Sequence, residues 1–308
     1  MGERLLVHRA GWATVQDLGR PNVSGHGVSA NGALDQYSAR AANALVGQGL
    51  GEPLIEMTAL PFACSVSCEL TIAVTGADAD LRVNGSRVAM WHPIRLSPGD
   101  LVELSDIRNG LRCYLAVRAK LQAHRFLGSV APDPALGFGW HLAAGDEVPL
   151  TASPGRPYAD PLTLSRLKPR YGSPWTLQVC AGPEWDAFQD VRDQVLDAEY
   201  TVDVKSNHVG IRLTGPVPEC RMPPELSSRG VAIGAVEMTP SRELVLLHRG
   251  RSITAGYPII AVVTTASLSP AGQLRPGDRV RFDICSIESA VHTHLRQLHV
   301  LKALAHQS

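Results

Sequence analysis

One turn phrase occurs three times in this chain, each time between stretches of alternating apolar and polar residues. Pro-Gly-Asp stands in LSPGDLVEL at 96–104 and in LRPGDRVRF at 274–282, and Ala-Gly-Asp stands in LAAGDEVPL at 142–150. Alternation with a period of two predicts half-buried strands, and glycine supports the tight bend between them. The two stronger copies are too far apart for a solenoid repeat. The pattern predicts a mainly β protein with two similar domains.

Length and composition agree with two domains of ordinary size, since the chain has 308 residues of which 44% are hydrophobic. The stretch 151–175 is rich in Pro, Gly and Ser, which is typical of a linker. We therefore expect an N-terminal domain at 1–160 and a C-terminal domain at 161–308. Helical spacing of apolar residues predicts an amphipathic helix at 183–196 and a C-terminal helix at 287–305.

Charge and cysteine content exclude several classes of partner. The chain has 29 basic and 29 acidic residues, so it offers no basic surface to nucleic acid or to an anionic membrane. No apolar run approaches the roughly 20 residues that span a bilayer. Six scattered cysteines predict reduced core residues in a cytoplasmic protein, and the spacing of Cys64 and Cys68 is not followed by a second pair of zinc ligands. We expect no metal site.

The segment 14–47 combines a glycine-rich polar loop with a short helix. Three glycines, two serines, a histidine and an asparagine lie between Ser24 and Gly32, and helical spacing of apolar residues follows up to Leu45. Ser29 or Asn31 is predicted to cap the helix, and Gly47 to end it. Free N–H groups at such a helix start suit a carboxylate or a phosphate, although an ordinary surface loop remains the alternative.

Common nucleotide and hydrolase motifs are missing from the sequence. It contains neither a phosphate loop of the G-x-x-x-x-G-K-[ST] type nor a strand-anchored G-x-G-x-x-G fingerprint, and no G-x-S-x-G nucleophile elbow. No lysine stands in a Met-Lys-Met setting, so any biotin would be carried by another polypeptide.

Several phrases in a fixed order resemble one known family. TVQDLGR, GVSANGALD and AANALVG in the N-terminal part are followed by IEMT at 55–58, AGPEWDAF at 181–188 and SNHVGIRLTGP at 206–216. This order is similar to that of the carboxyltransferase-like family of allophanate hydrolase subunit 2, which includes the C component of 5-oxoprolinase and a part of urea carboxylase. The resemblance covers most of the chain.

The resemblance implies a fold, an activity and partners. The fold would be two cyclophilin-like β-barrel domains with a few short helices. The activity would be ATP-dependent opening of the lactam of 5-oxoproline, with magnesium and ATP, together with a subunit 1 homologue and a separate lactam hydrolase component. Two alternatives are a carboxyltransferase component of a biotin-dependent carboxylase acting on urea or another small amide, and a non-catalytic regulatory partner of a sensor kinase.

Polar residues inside apolar or glycine-rich phrases are the candidates for a site. In the N-terminal domain, Asp17 and Arg20 would form a structural ion pair or bind a substrate anion, and Ser29, Asn31 and Asp35 stand at the helix entrance. Asn31 would donate to a substrate carbonyl.

In the C-terminal domain the candidates are two carboxylates, two donors and a phenol. Glu225 and Glu237 would act as a general base or bind magnesium-nucleotide, Asn207 and Arg212 would bind substrate, and Tyr257 would donate a proton. A solvated strand face for the carboxylates and a core position for Tyr257 are the structural alternatives.

Overall fold

The computed structural model describes residues 2–153, 168–219 and 226–306, which form two compact units. The first unit takes Met1–Arg20, Asp35–Arg170 and Leu298–Ser308 as far as these are described, and the second takes Pro21–Leu34 and Tyr171–Gln297. The glycine-rich loop therefore groups with the second unit, whereas its position in the sequence predicts that it belongs to the N-terminal domain. The predicted boundary near residue 160 falls outside the described residues and stays a prediction.

The first unit is built on a ten-stranded sheet that curls into a half-barrel. Its main path runs in the order β2-β3-β8-β4-β1-β10-β9, and β5 pairs with β6, β7 and β8. The strands are β1 Arg4–Arg9, β2 Trp12–Gln16, β3 Leu54–Ala59, β4 Phe62–Val66, β5 Leu70–Val83, β6 Ser86–Arg87, β7 Ile94–Leu96, β8 Leu101–Val117, β9 Ala119–Leu121 and β10 Glu147–Ala152.

The sequence predicts a turn from Gly76 to Asp80 and a type I′ hairpin at Asn84-Gly85, and the structure corrects the first and confirms the second. Asn84 and Gly85 both have positive φ, as the predicted type I′ turn requires. The predicted turn at 76–80 is wrong, because β5 runs through this stretch with register shifts instead of ending there. At Gly76, with φ of +93°, an added Cβ would lie 2.2 Å from the Arg112 carbonyl oxygen, so the backbones approach each other too closely for a side chain.

The second unit is a closed seven-stranded barrel with the order β11-β18-β15-β16-β13-β12-β19, and β14 and β17 form a separate ribbon. Its strands are β11 Trp175–Ala181, β12 Tyr200–Val202, β13 Gly210–Thr214, β14 Arg229–Gly230, β15 Ala235–Met238, β16 Leu244–Leu247, β17 Thr254–Ala255, β18 Ile259–Val263 and β19 Arg279–Ile284. The mainly β fold with barrel-type units is thus confirmed.

The three repeated turn phrases have the same geometry. Each glycine has φ between +88° and +94°, and each aspartate carboxylate accepts the N–H three residues before it: Asp100 from Ser97, Asp146 from Ala143 and Asp278 from Arg275. Since such a turn precedes β8 and β10 in the first unit and β19 in the second, the likeness of the two domains seen in the sequence extends to local structure.

Four α-helices lie in the described residues: α1 Gln36–Leu45, α2 Arg192–Asp197, α3 Thr265–Ala271 and α4 Ile287–His306. Helix α4 confirms the C-terminal helix. The predicted helix at 183–196 is split into a 3-10 turn at Trp185–Phe188 and α2. The reason is that Gly182 and Glu184 donate their N–H groups to β18, which keeps the start of this segment against the strand.

The prediction that the cysteines are core residues is only partly met. Cys64 and Cys113 are buried, but Cys68, Cys180 and Cys285 are half-buried, and Cys220 lies outside the described residues. All five described cysteines are free. None of the helices within the described ranges is both long and apolar enough to cross a bilayer.

Candidate functional site

The N-terminus of α1 carries its own carboxylate. Asp35 is the N-cap, and its oxygens accept the Ser38 N–H at 2.9 Å and the Ser38 hydroxyl at 2.6 Å. The Asp35 N–H donates to the Tyr114 hydroxyl at 2.9 Å. The predicted caps, Ser29 and Asn31, are wrong, because the observed N-cap lies six residues after Ser29 and four residues after Asn31. The predicted end is right: Gly47 has φ of +72° and donates to the Ala44 carbonyl.

The glycine-rich loop is anchored on the segment His248–Arg251 of the second unit. Asn31 donates its N–H to the Arg249 carbonyl at 3.0 Å, and Arg249 Nε donates to the Asn31 carbonyl at 2.8 Å. The Ser29 hydroxyl donates to the Arg251 carbonyl at 2.8 Å. Asn31 is 5% exposed, and the loop is buried from Ala30 onwards while its first half at 24–27 faces solvent. We call residues 29–32 and 248–251 together the loop platform.

Arg251 is a buried cation within the loop platform. Its side chain is 6% exposed, Nε donates to the Val231 carbonyl at 2.9 Å, and Nη1 finds no hydrogen-bond partner among the described residues. Burial lowers the pKa of its guanidinium. A buried charge is costly unless it is paired and hydrogen-bonded, so this group suits an anionic or carbonyl oxygen.

His248 is held as a neutral ring at the other end of this segment. Its Nδ1 accepts the Arg249 N–H at 2.9 Å, so the proton lies on Nε2, which donates to the Leu268 carbonyl at 3.1 Å. The ring is fully buried. His248 thus positions the backbone that holds Asn31 and is not a proton carrier in this arrangement.

Gly250 lets the turn before β13 close onto the loop platform. An added Cβ there would lie 2.3 Å from the His208 ring and 2.9 Å from the His208 carbonyl oxygen, to which the Gly250 N–H donates. Asn207 forms that turn by accepting the Val209 N–H at 2.8 Å.

Replacing Gly250 with Ala is therefore expected to displace 248–251 and loosen the loop. We expect destabilisation by about 1–3 kcal/mol in urea unfolding, as for other overpacked sites, and faster hydrogen exchange at the Asn31 amide. Gly230→Ala is the matched control, since a Cβ there has no atom within 4 Å. Unchanged exchange at Asn31 in the Gly250 variant would contradict this account of the anchor.

Glu237 is a buried carboxyl on β15. It is 4% exposed, Oε1 has no partner among the described residues, and burial raises its pKa. Its neighbours Val236 and Met238 face the barrel core, so Glu237 faces the other side of the sheet, where Val231, Ala235, Leu247 and Ile259 form a second apolar cluster. The Arg251 guanidinium bonds to Val231 of the same cluster. A carboxyl with a raised pKa that borders the same cluster as a buried cation is a candidate proton donor or acceptor.

A third charged group lies on the barrel near the ribbon of β14 and β17. Glu184 accepts from Arg229 at 2.5 Å and from the Ile259 N–H at 2.9 Å. Tyr257, two residues before Ile259, is 38% exposed, which does not agree with a core position. Its side chain is thus open to solvent or ligand, and its proposed role as a proton donor stays a prediction.

Asp17 and Arg20 lie in the first unit, where both contact the loop 125–138. Asp17 accepts from the Ser129 hydroxyl at 2.6 Å and the Val130 N–H at 2.9 Å. Arg20 is 1% exposed, and its guanidinium lies 5.3 Å from the Phe126 ring centroid and 5.4 Å from that of Phe138. These contacts support a structural role for both residues. A role in anion binding stays a prediction.

The remaining candidates have local partners or lie outside the described residues. Arg212 Nη1 donates to Glu243 at 2.5 Å and the Arg212 side chain is 40% exposed, which agrees with a strand-face ion pair. Glu225 lies outside the described residues. Two clefts in the first unit contain none of the predicted site residues: one of about 520 Å³ includes Arg95 and Arg118, and one of about 840 Å³ includes Phe138 and Trp140.

The structure thus brings together Ser29, Asn31 and the Asn207 turn, with Glu237 bordering the same cluster as Arg251. Sequence reasoning missed His248, Arg249, Arg251 and Glu184. The phrase HRGR directly after an apolar strand was the available signal, but a charged residue beside a strand is more often solvated. A solvated charge and a buried, functional charge have the same sequence pattern, and only the burial seen in the structure distinguishes them.

Two barrel-type units, one of them with buried charged groups beside a glycine-rich loop, place the chain among mainly β proteins with barrel-type domains. The chain belongs to the carboxyltransferase family: the family model described as "Carboxyltransferase domain, subdomain A and B" matches residues 26–284. This confirms the resemblance found in the sequence.

The chain is similar both to a 5-oxoprolinase component and to enzymes named for urea. The chain is 28% identical to the C component of the 5-oxoprolinase of Escherichia coli, and the match covers 98% of this chain and 97% of that protein. It is also 28% identical to the urea amidolyase of Lachancea kluyveri, where the match covers 88% of this chain but only 16% of that protein. The Kluyveromyces lactis urea carboxylase structure superimposes with a TM-score of 0.86 at 26% identity, over 98% of this chain and 29% of that one.

Proposed function

We propose that this chain is a subunit of an ATP-dependent 5-oxoprolinase, which converts 5-oxoproline, ATP and water into glutamate, ADP and phosphate. The observation that supports this most is the end-to-end match to a separate 5-oxoprolinase polypeptide, in contrast to the small fraction of the urea amidolyase that the chain covers. One component of a multi-subunit enzyme implies further subunits. The proposed partners are a subunit 1 homologue and a lactam hydrolase component.

The loop platform would bind the oxygen on which negative charge develops. Lactam amides are unreactive, so phosphoryl transfer to the carbonyl oxygen would prepare the ring for opening. Arg251 offers a buried guanidinium whose Nη1 has no hydrogen-bond partner within the described part of the chain. This group fits a phosphoryl or carbonyl oxygen and would stabilise charge more strongly than an exposed donor. The backbone N–H and carbonyl of Asn31 are both hydrogen-bonded to Arg249, so the Asn31 side chain would be positioned to orient the substrate amide.

Glu237 would hold or move the proton in this scheme. Because burial raises its pKa, its carboxyl keeps a proton nearer to neutral pH than an exposed glutamate does. ATP would supply the phosphoryl group, and Mg²⁺ would come with it, since this ion is usually bound through phosphates and one or two carboxylates.

The direct test is co-expression of this chain with its subunit 1 homologue and the lactam hydrolase component. The purified complex is expected to form glutamate from 5-oxoproline only when Mg-ATP is present, and to release one phosphate for each glutamate. A complex that lacks this chain is the control. An intact complex that leaves 5-oxoproline unchanged would overturn the proposal.

A carboxyltransferase role is the second candidate, favoured by the superposition on urea carboxylase. The same oxyanion-binding groups would then serve transfer of a carboxyl group from biotin on another polypeptide to urea or a small amide. Urea-dependent discharge of carboxybiotin by this chain, without activity on 5-oxoproline, would select this alternative. The role as regulatory partner of a sensor kinase stays a prediction.

A further inference from the structure

Two cysteines end neighbouring strands of the second unit in the same register. The parallel strands β11 and β19 pair Gln178 with Asp283 and Val179 with Ile284. The Cys285 N–H extends this ladder by donating to the Val179 carbonyl at 2.9 Å. The next residues in this register are Cys180 and Cys285, so the two stand opposite each other.

Both thiols lie on the outer face of the barrel. Leu177 and Val179 point into the core, so Cys180 points outward, and both Cys180 and Cys285 are half-buried. In addition to the effect of burial, the Cys180 thiol is close enough to Cys285 to raise the pKa of that thiol. Neighbouring strands lie about 4.8 Å apart, within the roughly 4.4–6.8 Å that separates the Cα atoms of a disulfide.

We propose that Cys180 and Cys285 are a modification site at which a small disulfide, such as glutathione disulfide, forms an intramolecular disulfide bond. One cysteine thiolate attacks a sulfur of the oxidant, which forms a mixed disulfide and releases one glutathione thiolate. The second cysteine thiolate attacks the protein sulfur and releases the second glutathione. The two cysteines are oxidised, and the oxidant is reduced to two thiols.

The other described cysteines differ from this pair. Cys64 and Cys113 are fully buried, and burial raises the pKa of each thiol to about 12, so neither has an accessible thiolate. Cys68 is half-buried like the pair, but it lies in the first unit, in the turn between β4 and β5. Burial and the neighbouring Cys180 also raise the pKa of Cys285, so the reaction is best run in mildly alkaline buffer.

The test uses the full chain with Cys68→Ser and Cys220→Ser, which leaves the pair and the two buried thiols. After treatment with excess glutathione disulfide, the intact mass should fall by two hydrogens, and tryptic mapping should show a Cys180–Cys285 cross-link that dithiothreitol removes. Adding Cys285→Ser should give a mixed disulfide with glutathione at Cys180 instead.

The unsubstituted chain is mapped in parallel, so the result does not depend on the variants folding. A cross-link between Cys180 and Cys285 in that map supports the proposal. Glutathione adducts on the two residues without a cross-link, or no reaction at either, would overturn it.

Discussion

Replacing Arg20 with Ala is expected to destabilise the first unit by about 3–5 kcal/mol, which is among the largest effects of a single substitution. The guanidinium donates to the Phe126 carbonyl at 3.2 Å and to the Ala131 carbonyl at 2.5 Å, and it lies against two aromatic rings. Alanine would leave these buried carbonyls unpaired and a cavity between the rings. The midpoint of urea unfolding measures the loss.

Two further variants separate the causes. Arg20→Lys keeps the charge but not the planar fork, so it should recover only part of the stability. Arg125→Ala is the control, because its side chain is 48% exposed and lies 3.9 Å from Asp17, and it should cost less than about 1 kcal/mol. If Arg20→Ala matched this control and abolished activity, Arg20 would be a ligand-binding residue and its structural role would be wrong.

Replacing Glu237 with Gln is expected to lower kcat of the reconstituted enzyme about 100-fold without unfolding the chain. Gln has the same size and removes only the titrating oxygen, so a fold that tolerates a buried neutral carboxyl should tolerate the amide. Glu199→Gln is the control in the same unit, since Glu199 forms only surface ion pairs with Arg279 and Arg281. Full activity of the Glu237 variant would remove this residue from the proposed chemistry.

The pH dependence of stability gives an independent readout for Glu237. Its pKa is raised in the folded chain from an ordinary 4.5, so the folded state binds a proton more tightly than the unfolded state does. The resulting stability is fully present below the ordinary pKa and is lost as pH rises through the raised value. The Tm of E237Q minus that of the natural chain should therefore increase from about pH 4 to about pH 8. A constant difference would show that the pKa is not raised.

Local features of the fold could be predicted from the sequence. The alternating strands, the Asn84-Gly85 hairpin, the glycine-aspartate turns and the C-terminal helix each depend on neighbouring residues, and the structure confirms them. The order of the family phrases also pointed to the relatives, because short motifs stay recognisable when two chains are only 28% identical overall. The cap of α1 was misassigned because Ser29, Asn31 and Asp35 are all good capping residues, and the choice among them depends on where the helix begins.

The charged side chains show what the sequence left open. Composition and spacing predicted a mainly β protein with two domains and a glycine-rich loop that carries Asn31, and the order of the family phrases indicated the carboxyltransferase family. Tertiary structure decided that this loop packs with the second unit, that Arg20 is enclosed by aromatic rings, and that Arg251 and Glu237 are buried. The physical reason is that burial of a charge depends on contacts between residues far apart in the chain, such as Ser29 and Arg251. The residues next to each of them in the sequence give no sign of such a contact.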